Sequence, residues 1–151
     1  YQIESGVQAV QLFDSWVGCL SPLDYVQYVM PHSERLMKAI CGSVPVIHFG
    51  TGNPALAGLM ADAGGDVLAL DWRTPLLQTW NQTGVKAVQG NLDPIVLCST
   101  QDAVKQKARE LLDEVDNRPG HIFNLGHGII PETPVDNVKA LVDFVHEYSR
   151  R

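Results

Sequence analysis

A histidine between two glycines, Gly126-His127-Gly128, is the residue of this sequence best suited to bind a ligand. Glycine neighbours allow a ligand to approach the backbone closely, and they leave the imidazole ring unobstructed. His127 also follows a short apolar run, residues 121–125, which is where binding residues stand in parallel α/β folds. The alternative is structural: His127 caps the next helix or bonds a neighbouring loop.

Four further polar clusters follow short apolar runs in the same way. They are Asp14-Ser15-Trp16, His48 with Gly50-Thr51-Gly52-Asn53, Asp71-Trp72-Arg73, and Asn91 with Asp93. Such side chains can orient carboxylates or transfer protons. Each also has a structural interpretation. His48 could be a core histidine satisfied by a backbone carbonyl, and Asp71 and Asp93 could cap the helices that follow them.

Two common chemistries do not fit these residues. Ser15 lacks the G-x-S-x-G turn of the hydrolases, so a serine nucleophile is not predicted. The Gly50-Thr51-Gly52 segment is too short for a dinucleotide-binding fingerprint. The acid expected about 20 residues later fits only loosely as Asp71.

Composition excludes several classes of protein. A net charge of −6 over 151 residues argues against a nucleic-acid partner, which needs clustered Lys and Arg. No apolar run approaches the roughly 20 residues of a membrane span, and no signal peptide is visible. The three cysteines are odd in number and far apart, which predicts neither a disulfide framework nor a zinc knuckle but a reduced, cytoplasmic setting. They are Cys19, Cys41 and Cys98.

The elements that must position these side chains alternate along the chain. Short runs rich in Val, Ile, Leu and Phe predict parallel strands at 9–13, 44–49, 67–70, 85–89 and 121–125. The segments between them begin with a capping residue followed by proline, which is typical of helix starts. These pairs are Ser21-Pro22, Asn53-Pro54, Thr74-Pro75 and Thr133-Pro134. In the last segment, an apolar stripe predicts core packing for Val135, Val138, Leu141, Val142 and Val145.

The alternation predicts a parallel sheet with right-handed crossovers, which leaves two architectures open. One is an open doubly wound sheet. The other is part of a (β/α)8 barrel, because a full barrel needs about 200–250 residues and only five units are present. In both, the polar clusters converge at the carboxyl ends of the strands.

Five segments in this order resemble the last five strand-end motifs of the uroporphyrinogen decarboxylase family. They are Leu12-Phe13-Asp14-Ser15-Trp16, His48-Phe49-Gly50-Thr51-Gly52, Leu70-Asp71-Trp72, Gln89-Gly90-Asn91-Leu92-Asp93-Pro94 and Phe123-Asn124-Leu125-Gly126-His127-Gly128-Ile129. The resemblance implies that residues 1–151 are the C-terminal portion of one TIM-type (β/α)8 barrel domain. The N-terminal units of that barrel would lie outside this chain.

The resemblance also implies an activity and a site. The family removes CO2 from the four acetate side chains of uroporphyrinogen III, giving coproporphyrinogen III in heme and porphyrin biosynthesis. This carboxy-lyase is usually a cytoplasmic homodimer and needs no metal or organic cofactor. Ser15 and His127 match substrate-binding residues of the family, and Phe13 matches a pocket-lining residue. The family's pyrrole-binding aspartate, carboxylate-binding arginines and pocket tyrosine lie nearer the N-terminus, so we expect poor activity from this chain alone.

Two alternatives remain from the sequence. Corrinoid-dependent, coenzyme M-type methyltransferases resemble this barrel but bind zinc through cysteine thiolates. Gly50 and His127 stand at the corresponding thiolate positions, so we expect no bound zinc. A non-catalytic assembly subunit is the second alternative.

Overall fold

The computed structural model describes residues 1–52 and 54–150, in which five β-strands form one sheet. The strands are β1 (Val10–Asp14), β2 (Val46–Gly50), β3 (Val67–Ala69), β4 (Ala87–Leu92) and β5 (His121–Leu125). Each strand pairs in parallel with the next one along the chain, which confirms the predicted topology. This order belongs to a barrel segment, since the strand order of a doubly wound sheet reverses at a switch point.

Helices connect the strands and cover one face of the sheet. They are α1 (Pro22–Tyr28), α2 (Met30–Ile40), α3 (Ala57–Ala63), α4 (Leu76–Thr83), α5 (Gln101–Val115) and α6 (Val135–Tyr148). Two helices follow β1, where the sequence predicted one. The break at Val29 lies two residues before Pro31, which has no N–H to donate and whose ring crowds the preceding helical turn.

Two of the predicted caps are present. The Ser21 side chain accepts a hydrogen bond of 3.1 Å from the Asp24 backbone N–H at the start of α1. Asp93 accepts one of 3.0 Å from the Ile95 N–H, and it caps the short 3-10 helix Pro94–Cys98. Both residues satisfy a backbone N–H that has no partner within its helix.

The other predicted helix starts differ from the structure. Helices α4 and α6 begin one residue later than predicted, with Pro75 and Pro134 in the capping position and no side-chain cap. The Thr74 hydroxyl does not cap α4, because it donates to the Asp71 carboxylate over 3.1 Å. Asn53 lies outside the described residues.

The main core lies between the sheet and the helices. Its largest fully buried apolar side chains are Trp80, Tyr25, Leu56, Leu76, Leu97, Val88 and Val104. The predicted apolar stripe of α6 contributes Leu141, which is buried, and Val138 and Val145, which are partly buried. Val135 and Val142 are exposed, contrary to the prediction, because Val135 lies in the first turn and Val142 borders an open groove beside β5. No helix in the described part of the chain is both long and apolar enough to cross a bilayer.

Strand β4 runs three residues beyond its predicted end at Gln89. Gly90 and Asn91 are disfavoured in strands, yet they pair in register with Phe123 and Asn124 of β5. Asn91 is therefore a buried strand residue and not a rim residue. Its Nδ2 donates to the backbone carbonyls of Asp71, over 2.9 Å, and of Thr74, over 2.6 Å.

Substitution Asn91→Ala should lower the free energy of unfolding by about 2–3 kcal/mol, because two buried carbonyls lose their donor. Its register partner supplies the control: Asn124 is exposed and, among the described residues, its side chain accepts from the adjacent Leu125 N–H alone. Asn124→Ala should stay within about 0.5 kcal/mol of the parent protein in denaturant unfolding. Equal losses for the two variants would contradict the bridging role of Asn91.

Candidate active site

Two adjoining cavities open at the carboxyl ends of the strands. The lumen cavity, of about 350 Å³, lies on the sheet face opposite the helices, and its walls include Gln11, Phe13, Phe49, Gln89 and His127. The rim cavity, of about 680 Å³, is lined by Ser15, Trp16, Gly18, Cys19, Thr51, Gly52, Trp72, Arg73 and His127. His127 contributes to both cavities, so it stands at their junction.

The three residues that sequence reasoning assigned to the site are distributed over these cavities. Phe13, 64% exposed, lines the lumen cavity, and Ser15 lines the rim cavity. A row of aromatic rings connects Phe13 with His127 through edge-to-face contacts. The ring centroids of Phe13 and Phe49 lie 5.8 Å apart, and those of Phe49 and His127 lie 6.2 Å apart. Trp72 completes the row at 6.1 Å from His127.

Gly126 allows His127 to reach this position. It is buried, and its N–H donates to the Leu92 carbonyl over 2.8 Å. A Cβ at this residue would overlap the backbone nitrogen of Trp72 and lie 2.9 Å from the carbonyl carbon of Asp71. The end of β5 therefore packs directly against the segment after β3. By contrast, a Cβ at Gly128 would meet open space.

The backbone of Ser15 is held by the next strand end. The Thr51 hydroxyl donates to the Ser15 carbonyl over 2.6 Å, so the segments after β1 and β2 are joined beside the rim cavity. The side-chain hydroxyl of Ser15 makes no hydrogen bond to any described residue and remains available to a ligand.

Asp71 is a buried junction and not the helix cap that was considered for it. Its side chain is 1% exposed and accepts hydrogen bonds from the Gly52 N–H at 2.6 Å and the Thr74 hydroxyl at 3.1 Å. The Arg73 N–H donates to it over 3.1 Å, and the Arg73 Nε lies 3.1 Å away in an ion pair. This cluster fixes the wall of the rim cavity.

Arg73 was not assigned to the site from the sequence. Its guanidinium lies over the Trp72 ring, 4.2 Å from the centroid, and its side chain is half exposed towards the rim cavity. The sequence did contain one indication of this role, because Arg73 stands in a strand-end cluster and the chain has few basic residues. Phe49 was also not predicted to line the cavity, since the sequence does not show which face of the sheet an apolar strand residue points to.

A second buried network lies on the helix-facing side of β1 and β2. The His48 Nε2 lies 2.8 Å from Asp14 Oδ2, and its Nδ1 lies 3.1 Å from the Met60 carbonyl. Ser33 of α2 donates to the same Asp14 oxygen over 2.9 Å. Thus His48 is the core histidine that the structural interpretation described. Both of its ring nitrogens therefore face oxygen atoms, the carboxylate of Asp14 and the backbone carbonyl of Met60.

This network shifts two titration equilibria. Burial alone would raise the pKa of the Asp14 carboxyl, but hydrogen bonds from His48 and Ser33 and the charge of His48 hold it below its usual value of 3.8. Burial raises the pKa of Tyr25, and the nearby Asp14 charge adds to this effect. The Tyr25 hydroxyl has no hydrogen-bond partner among the described residues.

Comparison with known proteins identifies the family of this chain. The sequence model of the family described as uroporphyrinogen decarboxylase (URO-D) matches residues 1–148. The chain belongs to this family. Membership was predicted from the strand-end motifs, and it is confirmed.

Named uroporphyrinogen decarboxylases from several bacteria align with almost the whole chain. The protein of Sorangium cellulosum is 54% identical over 151 residues, and that of Koribacter versatilis is 51% identical over 151 residues. The protein of Streptomyces coelicolor is 51% identical over 152 residues. These alignments cover 98–99% of this chain but only 43% of each relative. The chain thus corresponds to a C-terminal part of these decarboxylases.

A solved structure shares the fold. A methyltransferase from Methanosarcina mazei superposes with a TM-score of 0.82 at 24% sequence identity, over 97% of this chain and 44% of that protein. At this identity the likeness supports the fold alone. Together with the family match, it confirms the predicted five consecutive units of a (β/α)8 barrel. Within the described residues, no three His, Cys, Asp or Glu side chains group in a way that could hold a metal ion.

The two glycines beside His127 provide a matched pair of variants. Gly126→Ala should lower the free energy of unfolding by about 2–3 kcal/mol, because its Cβ overlaps the backbone after β3. Gly128→Ala should change stability by less than about 1 kcal/mol, since nothing lies within 4 Å of the added atom. Thermal unfolding of both variants tests the packing. A stable Gly126→Ala protein would refute the close approach of β5.

The Asp14–His48 pair should make stability depend on pH. Because the folded-state pKa of Asp14 is lowered, its contribution is fully present above the usual value of 3.8 and is lost as pH falls through the lower folded value. Asp14→Asn should cost about 3 kcal/mol at neutral pH, and the difference from the parent should shrink in this acid range. The exposed Asp136→Asn is the control for denaturant unfolding across pH. A constant difference for Asp14→Asn at every pH would argue against the pairing.

Proposed function

We propose that this chain works as the C-terminal portion of a complete (β/α)8 barrel with uroporphyrinogen decarboxylase activity. The observation that carries the proposal is 51–54% identity to named uroporphyrinogen decarboxylases along nearly the whole chain. The reaction is the loss of CO2 from the four acetate groups of uroporphyrinogen III, giving coproporphyrinogen III. The complete enzyme is a cytoplasmic homodimer, in keeping with the family, and the three cysteines form no disulfide.

The chemistry assigns supporting roles to this part of the barrel. A pyrrole ring protonated on carbon accepts the electron pair of the breaking carbon–carbon bond as CO2 leaves, and a proton then replaces the lost carboxyl group. The enzyme must hold the side-chain carboxylates and stabilise the cationic ring while this happens. His127 donates a hydrogen bond to one carboxylate, Ser15 orients another, and Phe13 packs against the macrocycle. Their positions around two adjoining cavities support these roles.

Methyl transfer has weaker support, although the M. mazei methyltransferase shares the fold. The related methyltransferases activate a thiol on zinc that is held by cysteine thiolates. Gly50 and His127 occupy those positions here, and neither offers a thiolate. Cys19 lines the rim cavity, but its Sγ lies 3.0 Å from the Trp16 carbonyl as a hydrogen-bond donor. The residues therefore favour decarboxylation.

An anaerobic assay tests the proposal directly. The complete enzyme, in which this chain is joined to the rest of the barrel, should convert uroporphyrinogen III into coproporphyrinogen III. The isolated chain should not do so at a useful rate, because the acid and the arginines expected from the family lie outside it. Stoichiometric zinc with methyl transfer would favour the methyltransferase alternative. A complete barrel without turnover would favour a non-catalytic assembly subunit.

His127→Gln in the complete enzyme tests the binding role. The amide keeps hydrogen bonding but cannot carry a charge, so kcat/KM should fall by a factor equivalent to about 1–3 kcal/mol, with little change in melting temperature. The pattern of partly decarboxylated intermediates should also change. The exposed His32→Gln on α2 is the control and should match the parent. A lower melting temperature with unchanged kinetics for His127→Gln would show that this histidine is structural.

A further inference from the structure

We propose that Arg73 binds a propionate carboxylate of the substrate, one that does not react. This inference rests on the proposed function, because it names a contact in the same site. Arg73 lines the rim cavity together with Ser15 and His127. Among the described residues that line the two cavities, it is the one Lys or Arg side chain. An anionic substrate entering this half of the barrel therefore meets a single permanent cation.

The guanidinium is held in place before any ligand arrives. Its Nε pairs with Asp71 Oδ2 at 3.1 Å, and its Cζ lies over the Trp72 ring, 4.2 Å from the ring centroid. Asp71 is itself fixed by hydrogen bonds from Gly52 and Thr74. A long arginine side chain normally loses much rotational freedom on binding. Here the side chain is already ordered in the folded structure, so ligand binding loses less conformational entropy.

The terminal nitrogens of Arg73 are available to a ligand. Within residues 1–52 and 54–150, neither terminal nitrogen takes part in a hydrogen bond or ion pair, and the side chain is 49% exposed. These two nitrogens form the planar fork that matches both oxygens of a carboxylate. The ion pair with Asp71 leaves the terminal nitrogens of Arg73 available, since Asp71 contacts only Nε of the guanidinium. The Asp71 carboxylate also accepts hydrogen bonds from three neutral donors.

The direction in which negative charge moves during decarboxylation decides which substrate carboxylate Arg73 binds. When CO2 leaves, negative charge moves from the reacting carboxylate into the pyrrole ring. A fixed cation on that carboxylate would stabilise the ground state more than the transition state and would slow the reaction. A cation on a propionate stabilises both states equally, which improves binding without opposing the chemical step. Arg73 is therefore a substrate-positioning residue whose loss should raise KM and leave kcat nearly unchanged.

The test compares Arg73→Gln with Arg118→Gln in the complete enzyme. Arg118 is a matched control: it lies over the Trp80 ring at 3.9 Å, donates to Asn81 and lines neither cavity. We expect a KM about 10- to 100-fold higher for Arg73→Gln, with kcat within about threefold of the parent. Added salt should weaken substrate binding by the parent more than by Arg73→Gln. Arg118→Gln should resemble the parent in all of these measurements.

Binding without turnover separates this inference from the proposed function. The oxidised porphyrin that retains the acetate and propionate groups is unreactive, and its binding can be followed by fluorescence quenching. Arg73→Gln should bind it at least tenfold more weakly than the parent, whether or not decarboxylation is observed. Arg73→Lys keeps a charge beside Asp71 but lacks the fork. Arg73→Lys should fold normally and bind the porphyrin several-fold more weakly than the parent. This variant therefore tests the contact even if Arg73→Gln does not fold.

Two results would overturn the assignment. One is porphyrin binding and a KM that are unchanged in both Arg73 variants, which would leave the arginine with a purely structural role beside Asp71. The other is a fall in kcat at constant KM, which would place the guanidinium on the reacting acetate or on the ring. A parent enzyme that binds the porphyrin but forms no coproporphyrinogen would refute the proposed function and leave the Arg73 contact standing.

Discussion

Asp71 joins three successive strand ends through its carboxylate and its backbone carbonyl, and the shape of the rim depends on it. Its oxygens bind the Gly52 N–H after β2 and the Thr74 hydroxyl and Arg73 guanidinium after β3, while its backbone carbonyl accepts from Asn91 of β4. A carboxylate that is 1% exposed is costly to bury unless such donors surround it. The same hydrogen bonds that make its burial tolerable also fix the walls of the rim cavity.

The two faces of the sheet differ in character, since one carries a buried polar network and the other lines a cavity. Strand residues alternate between faces, so Asp14 and His48 point towards the helices while Phe13 and Phe49 point into the lumen. The helix-facing side carries a buried, hydrogen-bonded pair, Asp14 of β1 and His48 of β2. The lumen side carries the aromatic rings of Phe13 and Phe49, which lie in edge-to-face contact along the cavity wall. A single residue step along a strand thus separates a side chain in the buried network from a side chain that lines the cavity.

The resemblance to the decarboxylase family decided the strand order, because the alternation of strands and helices left two architectures open. Local patterns in the sequence were sufficient for the parallel pairing and for the convergence of Ser15 and His127 at one rim. They were not sufficient for the extent of β4, because Gly90 and Asn91 join the strand only through their pairing with β5. Nor could they assign Arg73, whose position depends on tertiary contacts with Asp71 and the Trp72 ring. Spacing identifies which segments meet, whereas the partners of each side chain are decided by packing.

Ser15 follows β1 and His127 follows β5, the two edge strands of the sheet, yet both line the rim cavity. The distance across this opening is therefore set by the curvature accumulated over β2, β3 and β4. Buried residues of the middle strands, such as Val88, influence that curvature although they touch no ligand. The width of the rim cavity consequently depends on the core as well as on the rim, so related proteins that keep the same lining residues can still differ in the width of this opening.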